Sequence, residues 1–440
     1  MLPTNNTTDT LFVINDTHYS RDDCQRAADR FLSLPELAIP EKTRIAVCFQ
    51  DTFLWLALCL AWREKGGSVL PIHPGTPESA ARELALRTGC THFLYGDPGQ
   101  PEALPRPEGD APPKMAAGGE LIQLSSGTTG TPKTISRSWR EIDRELATYI
   151  RTFSAANGLT PVIACPVTHS YGLICGFLAG LERGAVPRIV TNLNPRFILD
   201  QLRSHPRSLL YASPTLLSLL LRMLPEEQTL HRVMVSGASL PSTLLEQLKA
   251  RSGGVFQQYG CSETGCIAIA SNVTEAGMVG TPLEHLDVVA GERGEKPAEI
   301  CVRSGERMIR TRDLGYLDDH GCLHFIARMD DTINVAGINV YPADVENVVL
   351  QYPDIREAVA WKQPDAYAGE RVFLTFVAAQ EIDTEALRRW CRERLSPHQV
   401  PAAMEQVEEI PRPANGKISR RHLSERYSQT TQKHRKETPA

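Results

Sequence analysis

Short, continuously apolar runs alternate with helical stretches along this chain, and that rhythm restricts it to a helix-flanked, largely parallel sheet. Residues 44–49 read as a buried strand, 53–62 as a buried helix stopping near Gly66 and Gly67, and 68–72 as a second strand. Thr76 offers an N-cap with Pro77 at the first helical position, and Gly89 closes that helix. A Pro-, Gly- and Ala-rich stretch at 96–119 reads as a linker or surface loop. The alternation resumes with strands at 161–164, 208–211 and 232–235, and closely spaced β-type runs over 279–326 predict an antiparallel segment. Beyond Asp330 the pattern is that of a compact α+β unit, with strands near 358–361 and 371–378 and a polar, basic tail from Ser428 that is expected to fray. The expected fold is therefore α/β. A large N-terminal domain (1–329) of helix-flanked, mostly parallel sheets carries a small β-subdomain. A small, mobile α+β C-terminal domain (330–428) and a basic tail (429–440) follow.

Composition excludes several classes. The chain has 440 residues, of which 42% are apolar and 22% charged, and its 47 Lys and Arg against 52 Asp and Glu give a net charge of −5. That balance lacks the basic excess of a nucleic-acid binder. Eleven cysteines include no C-x-x-C pair, and Cys48, Cys59 and Cys301 lie in apolar runs as small hydrophobes, which points to a reducing, cytoplasmic setting. The N-terminus shows no signal-peptide pattern. The apolar runs at 53–62 and 209–221 end at Arg63 and break at Ser213 to Thr215, short of the roughly 20 residues that span a bilayer.

The chemistry enters at a loop. A short apolar strand from Leu121 runs into Ser125, Ser126, Gly127, Thr128, Thr129, Gly130, Thr131, Pro132 and Lys133. Small residues let backbone N–H groups approach a polyphosphate, while hydroxyls and a lysine add donors and charge. Pro132 stands where a Walker A loop needs Gly, which disfavours a P-loop NTPase. Ser138 and Glu141 then form a capping box, and Trp139, Ile142, Leu146, Ile150 and Phe153 make a helical stripe.

This loop resembles the phosphate loop of the adenylate-forming superfamily: acyl- and aryl-CoA synthetases, peptide-synthetase adenylation domains and luciferases. Further motifs follow in the same order. Gln258-Tyr259-Gly260-Cys261-Ser262-Glu263-Thr264 is similar to the Tyr-Gly-x-Thr-Glu motif. The resemblance implies Tyr259 on adenine, Ser262 on the α-phosphate and Glu263 on Mg2+, a hard cation that takes carboxylate oxygen. Ser236-Gly237-Ala238 resembles the segment whose backbone lines the adenine and acyl sites. Thr311-Arg312-Asp313-Leu314-Gly315 resembles Thr-Gly-Asp-Leu-Gly, which gives Asp313 to the ribose hydroxyls. Arg312 replaces the usual Gly, and the segment before it is shorter than the family norm. Residues 327–346 resemble the hinge motif, with Arg328 toward ribose or phosphate, Asp330 as hinge and Gly337 where pantetheine passes. Asn339 sits where some relatives carry Arg, so no phosphate contact is assigned to it. Asn415-Gly416-Lys417 resembles the terminal motif whose Lys bridges the acid and the α-phosphate.

The resemblance implies ATP- and Mg2+-dependent activation of a carboxylic acid to an acyl-adenylate, with Lys417, Glu263, Ser262 and His169 in the catalytic set. Transfer to the pantetheine thiol of CoA follows, or alternatively to a separate carrier protein. Residues 165–173 resemble a segment of acyl- and aryl-CoA ligases, so His169, Tyr171, Gly172 and Cys261 are candidate pocket residues. No Asp lies between Cys165 and Gly180 to pair an ammonium, which favours an aryl or short-to-medium acyl acid over an amino acid. A non-catalytic nucleotide-binding relative would lack Lys417 or Glu263, and both are present.

Overall fold

The computed structural model describes residues 10–96, 99–105, 116–125, 133–292, 296–365, 367–412 and 418–437, with backbone alone for Ser125 and 429–437. Arg44–Cys48 is buried along its whole length and pairs in parallel with Ser68–Pro71 on one side and His92–Tyr95 on the other. A strand covered on both faces favours apolar residues, and its run is apolar after Arg44, whose buried guanidinium lies 3.3 Å from Glu120 Oε1. The helix Thr52–Lys65 begins where the Asp51 side chain accepts the Phe53 N–H and stops at Gly66, whose φ is 69°. Glu120–Ser125 joins this sheet in parallel and Lys133–Ser138 turns back antiparallel beside it, with Ser125 opposite Lys133. The two strands bracket the expected phosphate loop.

Two sequence readings need correction here. The next helix is Glu78–Arg87, and Pro77 rather than Thr76 holds the cap position, because Pro77 itself is extended (ψ 147°). Within 96–119, read as loop, Glu102–Ala103 forms a short edge strand antiparallel to His92–Tyr95.

The second sheet changes character along its width. Thr10–Ile14, Arg188–Ile189, Thr160–Ile163, Ser208–Ala212, Arg232–Val235 and Val255–Cys261 are parallel neighbours in that order. From Gly265–Ala270 onward the same sheet is antiparallel, through Met278–Pro282, Leu323–Arg328, Arg307–Leu317, Ala298–Ser304 and Asp287–Val289. This is the small β-subdomain. Its core is continuous with that of the parallel half, since Ile300, Val302 and Leu323 belong to the same buried cluster as Phe12, Trp62 and Phe177.

After the short 3-10 turn Met329–Asp331 the chain builds a separate small sheet around the long hairpin Ile355–Asp365 and Gly369–Ala378, flanked by helices Pro342–Val349, Thr384–Arg394 and Arg420–Glu437. The tail expected to fray from Ser428 is instead helical to Glu437. Its anchor is apolar: Leu423 is buried, and the Tyr427 ring sits 5.6 Å from Trp361 and 5.1 Å from Phe373. Trp361 is 2% exposed and donates its indole N–H to Thr375 Oγ1 at 3.0 Å. Trp361→Ala is expected to cost about 3–5 kcal/mol, seen as a lower denaturant midpoint with early proteolysis at the C-terminal helix.

Candidate active site

The parallel strands of the second sheet end on one edge, where ligands of open α/β sheets sit. Arg232–Val235 leads there into Ser236, Gly237 and Ala238. Gly237 has φ 90°, and it and Ala238 are exposed, leaving bare backbone at the strand end. Ser236 donates to the Gln258 carbonyl at 3.1 Å, tying this shelf to the adjoining strand, whose Tyr259 is 9% exposed.

The Tyr259 hydroxyl donates to Asp313 Oδ2 at 2.6 Å, and Arg328 Nη1 lies 3.0 Å from Asp313 Oδ1. Asp313 and Arg328 are register partners on neighbouring strands, and the Thr311 hydroxyl accepts the Asp313 N–H at 3.1 Å. The structure thus brings together Tyr259, Asp313 and Arg328, which lie far apart in the chain. Burial, then the Asp313 charge, push the Tyr259 phenol well above its ordinary range, so it stays a donor.

Arg312 has φ 61°, a left-handed backbone that Gly adopts without strain. That is a physical reason for the usual Gly at this position. Here the arginine backbone N–H is held by Glu299 Oε1 at 3.0 Å, and its Nη2 reaches Asp330 Oδ1 at 2.5 Å. Asp331 pairs instead with Arg420 at 2.9 Å.

The hairpin turn after Tyr259 carries Cys261, Ser262 and Glu263, all half-buried, while Gly260 is exposed. Burial pushes the Cys261 thiol to about 11, and its sulfur lies 3.2 Å from the Thr264 hydroxyl, so it is no nucleophile at neutral pH. Glu263 and Thr264 line a polar pocket with Arg137, Arg144, His285 and Arg307. His285 shares a 2.7 Å hydrogen bond with Thr148 Oγ1. Burial and then Arg137 and Arg144, opposed by Glu284, lower its pKa from 6.5 to about 4.

The other expected site residues fall as follows. His169 is exposed, and Tyr171 opens the π-helical segment Tyr171–Leu178, with its hydroxyl donating to the Met234 carbonyl at 2.6 Å. Such segments are frequent at functional sites. Gly172 is buried, and a Cβ there would lie 2.5 Å from the Pro166 carbonyl oxygen, so packing alone demands glycine. Lys133 is exposed at the start of its strand. Gly337 is exposed with φ 88°, at the turn between Ile333–Val335 and Ile338–Val340. Ser126, Gly127, Thr128, Thr129, Gly130 and Lys417 lie outside the described residues.

The sequence reading missed the buried ion pair of Arg137 with Glu145 behind the hairpin turn. Its signal was available, because Glu145 falls on the apolar stripe of its helix, three residues after Ile142.

A family model described as AMP-binding enzyme matches residues 5–311, and one described as AMP-binding enzyme C-terminal domain matches 344–417. The chain belongs to the AMP-binding enzyme family. As a member it is an AMP-forming acid–thiol ligase that uses ATP. It is 36% identical over 413 residues to the 3,4-dihydroxybenzoate--[aryl-carrier protein] ligase of Bacillus anthracis, covering 94% of this chain and 98% of that one. Identity to the 2-succinylbenzoate--CoA ligase of Bacillus velezensis is 28% over 337 residues, 69% of this chain and 68% of the relative. The fold matches ATP-bound MatB from Rhodopseudomonas palustris (TM-score 0.79, 19% identity, 97% of each chain). It also matches the Bacillus subtilis o-succinylbenzoate CoA synthetase with ATP and magnesium (TM-score 0.78, 22% identity, 94% and 96% covered).

Two outcomes follow. Tyr259→Phe removes a buried hydrogen bond to a charged group, worth about 1.5–3 kcal/mol, so the unfolding free energy from denaturant titration should fall by about that amount. His285 binds its proton less readily folded than unfolded, so its neutral form stabilises above pH 6.5 and that contribution is lost as pH falls toward 4. His285→Gln should flatten the melting temperature across that window.

Proposed function

We propose that the protein activates an aryl carboxylic acid, 3,4-dihydroxybenzoate or a near analogue, as its adenylate and passes the aryl group to the pantetheine thiol of a separate carrier protein. The observation that carries this reading is the 36% identity to an aryl-carrier protein ligase across nearly the whole of both chains. CoA as acceptor is the second reading, favoured by the 2-succinylbenzoate--CoA ligase relative. An acid without an α-amino group fits a segment from Cys165 to Gly180 that has no carboxylate to pair an ammonium.

A carboxylate is a poor acylating agent because its leaving group would be oxide. In the proposed reaction the carboxylate oxygen attacks the α-phosphorus of ATP, the bond to the bridging oxygen breaks, and pyrophosphate departs. The thiol then adds to the acyl carbonyl and AMP leaves as its mono-ester. Tyr259, Asp313 and Arg328 suit a nucleoside: a buried aromatic ring, a carboxylate for two hydroxyls and a cation sit together at the sheet edge. Gly237 and Ala238 offer bare backbone for adenine, and Ser125 to Lys133 would hold the β- and γ-phosphates. Mg2+, when bound, would neutralise phosphate charge, and Glu263 supplies a carboxylate oxygen of the kind that ion prefers. The work left to the protein is positioning and charge stabilisation. Lys417 would bridge the acid and the α-phosphate. His169 and Tyr171 would border the acid. Asp330 would be the hinge about which the domain from 330 onward turns, withdrawing Lys417 and bringing Gly337 toward the thiol.

ATP–pyrophosphate exchange over benzoate, 2,3- and 3,4-dihydroxybenzoate, hexanoate and phenylalanine tests the acid. The dihydroxybenzoates should exchange fastest, and preference for hexanoate or phenylalanine would overturn the aryl reading. Thioester yield with an aryl-carrier protein against free CoA tests the acceptor. Lys417→Ala should slow exchange by roughly 10²–10³-fold, the scale of losing one preorganised donor, while thioester formation from preformed adenylate survives. Equal loss of both steps would contradict a role confined to adenylation.

A further inference from the structure

The Glu145 carboxylate, on helix Trp139–Thr152, is fully buried. Its Oε2 lies 2.5 Å from Arg137 Nη2, and its Oε1 accepts the backbone N–H of Cys266 at 2.7 Å. One helical turn on, the Tyr149 hydroxyl donates to Gln258 Oε1 at 2.9 Å. Gln258 lies on the strand entering the turn at 261–265, and Cys266 on the strand leaving it. One helix face therefore holds both arms of the hairpin that presents Ser262 and Glu263.

The turn rests directly on the ion pair. Gly265 has φ 80°, and a Cβ there would lie 2.3 Å from Glu145 Oε2 and 2.5 Å from Arg137 Nη1, so no side chain can stand between them. Arg137 belongs to Lys133–Ser138, the strand that leaves the loop 125–133, and it lines the same polar pocket as Glu263. Its Nη1 is buried without a hydrogen-bond partner among the described residues. A buried charge cannot shift away from its partner without standing unpaired in a low-dielectric interior, which makes such a pair a stiff link.

We propose that Glu145 and Arg137 are positioning residues for nucleotide activation: their ion pair fixes the Glu263 turn relative to the strand leaving the phosphate loop. This rests on the reading of Glu263 as the Mg2+ carboxylate. Glu145 acts on the turn through its bond from the Cys266 N–H, and Arg137 through its pair with Glu145. The ligand they place is Glu263, so their loss moves the Mg2+ requirement of the first half-reaction rather than the thiol step.

The test measures the Mg2+ dependence of ATP–pyrophosphate exchange on the full-length enzyme. Glu145→Gln keeps the shape and removes the charge. The double variant Glu145→Gln with Arg137→Met removes both charges and so leaves no buried charge unpaired, and it decides the matter where the single variant melts too early. The Mg2+ concentration for half-maximal exchange should rise roughly 10–100-fold, as when the outer partner of a metal ligand is lost. Thioester formation from preformed aryl-adenylate should stay unchanged. A folded double variant with normal Mg2+ dependence, or with both half-reactions reduced alike, overturns the proposal. Glu263→Gln is measured alongside: if it shifts the Mg2+ dependence and the Glu145 variants do not, positioning alone fails. If Glu263→Gln has no effect, the Mg2+ reading of Glu263 fails first and takes the proposal with it.

Discussion

The hydrogen bond from Tyr259 to Asp313 joins residues on strands that are four steps apart in the sheet. Laid flat, those strands would be about 19 Å apart at the usual spacing of ~4.8 Å per strand, beyond the reach of the two side chains. The sheet must therefore curl over itself between the parallel half and the antiparallel subdomain. Irregularities in register provide the curl at Tyr259/Gly260, Met278/Gly280 and Leu314/Gly315. Gly280 is the tightest of these points, with φ 97° and space for a Cβ only 2.0 Å from the Ile269 carbonyl oxygen. Without that curvature the Asp313 carboxylate and the Tyr259 ring would face different parts of the surface.

The curl also leaves a hairpin turn standing at the junction, and the Glu145 carboxylate supports it from behind. A charge at that depth is costly by itself. It is tolerated because Arg137 and a backbone N–H satisfy both its oxygens. The same groups hold the buried carboxylate and the hairpin turn there.

Two adjacent aspartates divide between the two halves of the chain. Asp330 is held by Arg312 of the β-subdomain, and Asp331 by Arg420 at the start of the last helix. The Arg312 side chain is 55% exposed, so its pair is a weak restraint, of the order of 0.2–1 kcal/mol. The Arg420 pair is reinforced by Glu346 at 2.7 Å and by the Ala360 carbonyl at 2.9 Å.

Much of this was legible in the chain. Continuous apolar runs gave the parallel strands because burial on both faces favours apolar positions, and the motif resemblance implied Tyr259 for adenine, Asp313 for ribose and Arg328 for ribose or phosphate, three residues that the fold brings together. What the sequence could not supply was local or long-range geometry with no linear signature. Pro77 moved a helix start by one residue through its own extended ψ. A tail that looked polar was recruited by two residues, Leu423 and Tyr427, onto Trp361. Arg312 appeared only as a departure from a glycine, and its positive φ and its hold on Asp330 came from the fold. By itself the sequence determined the strand and helix types and which residue kinds carry the chemistry, since those follow from periodicity and functional-group identity. The tertiary structure alone decided that a buried carboxylate on a helix stripe stands under the Glu263 turn, because pairing a charge in the interior depends on which distant strands the curl of the sheet brings against it.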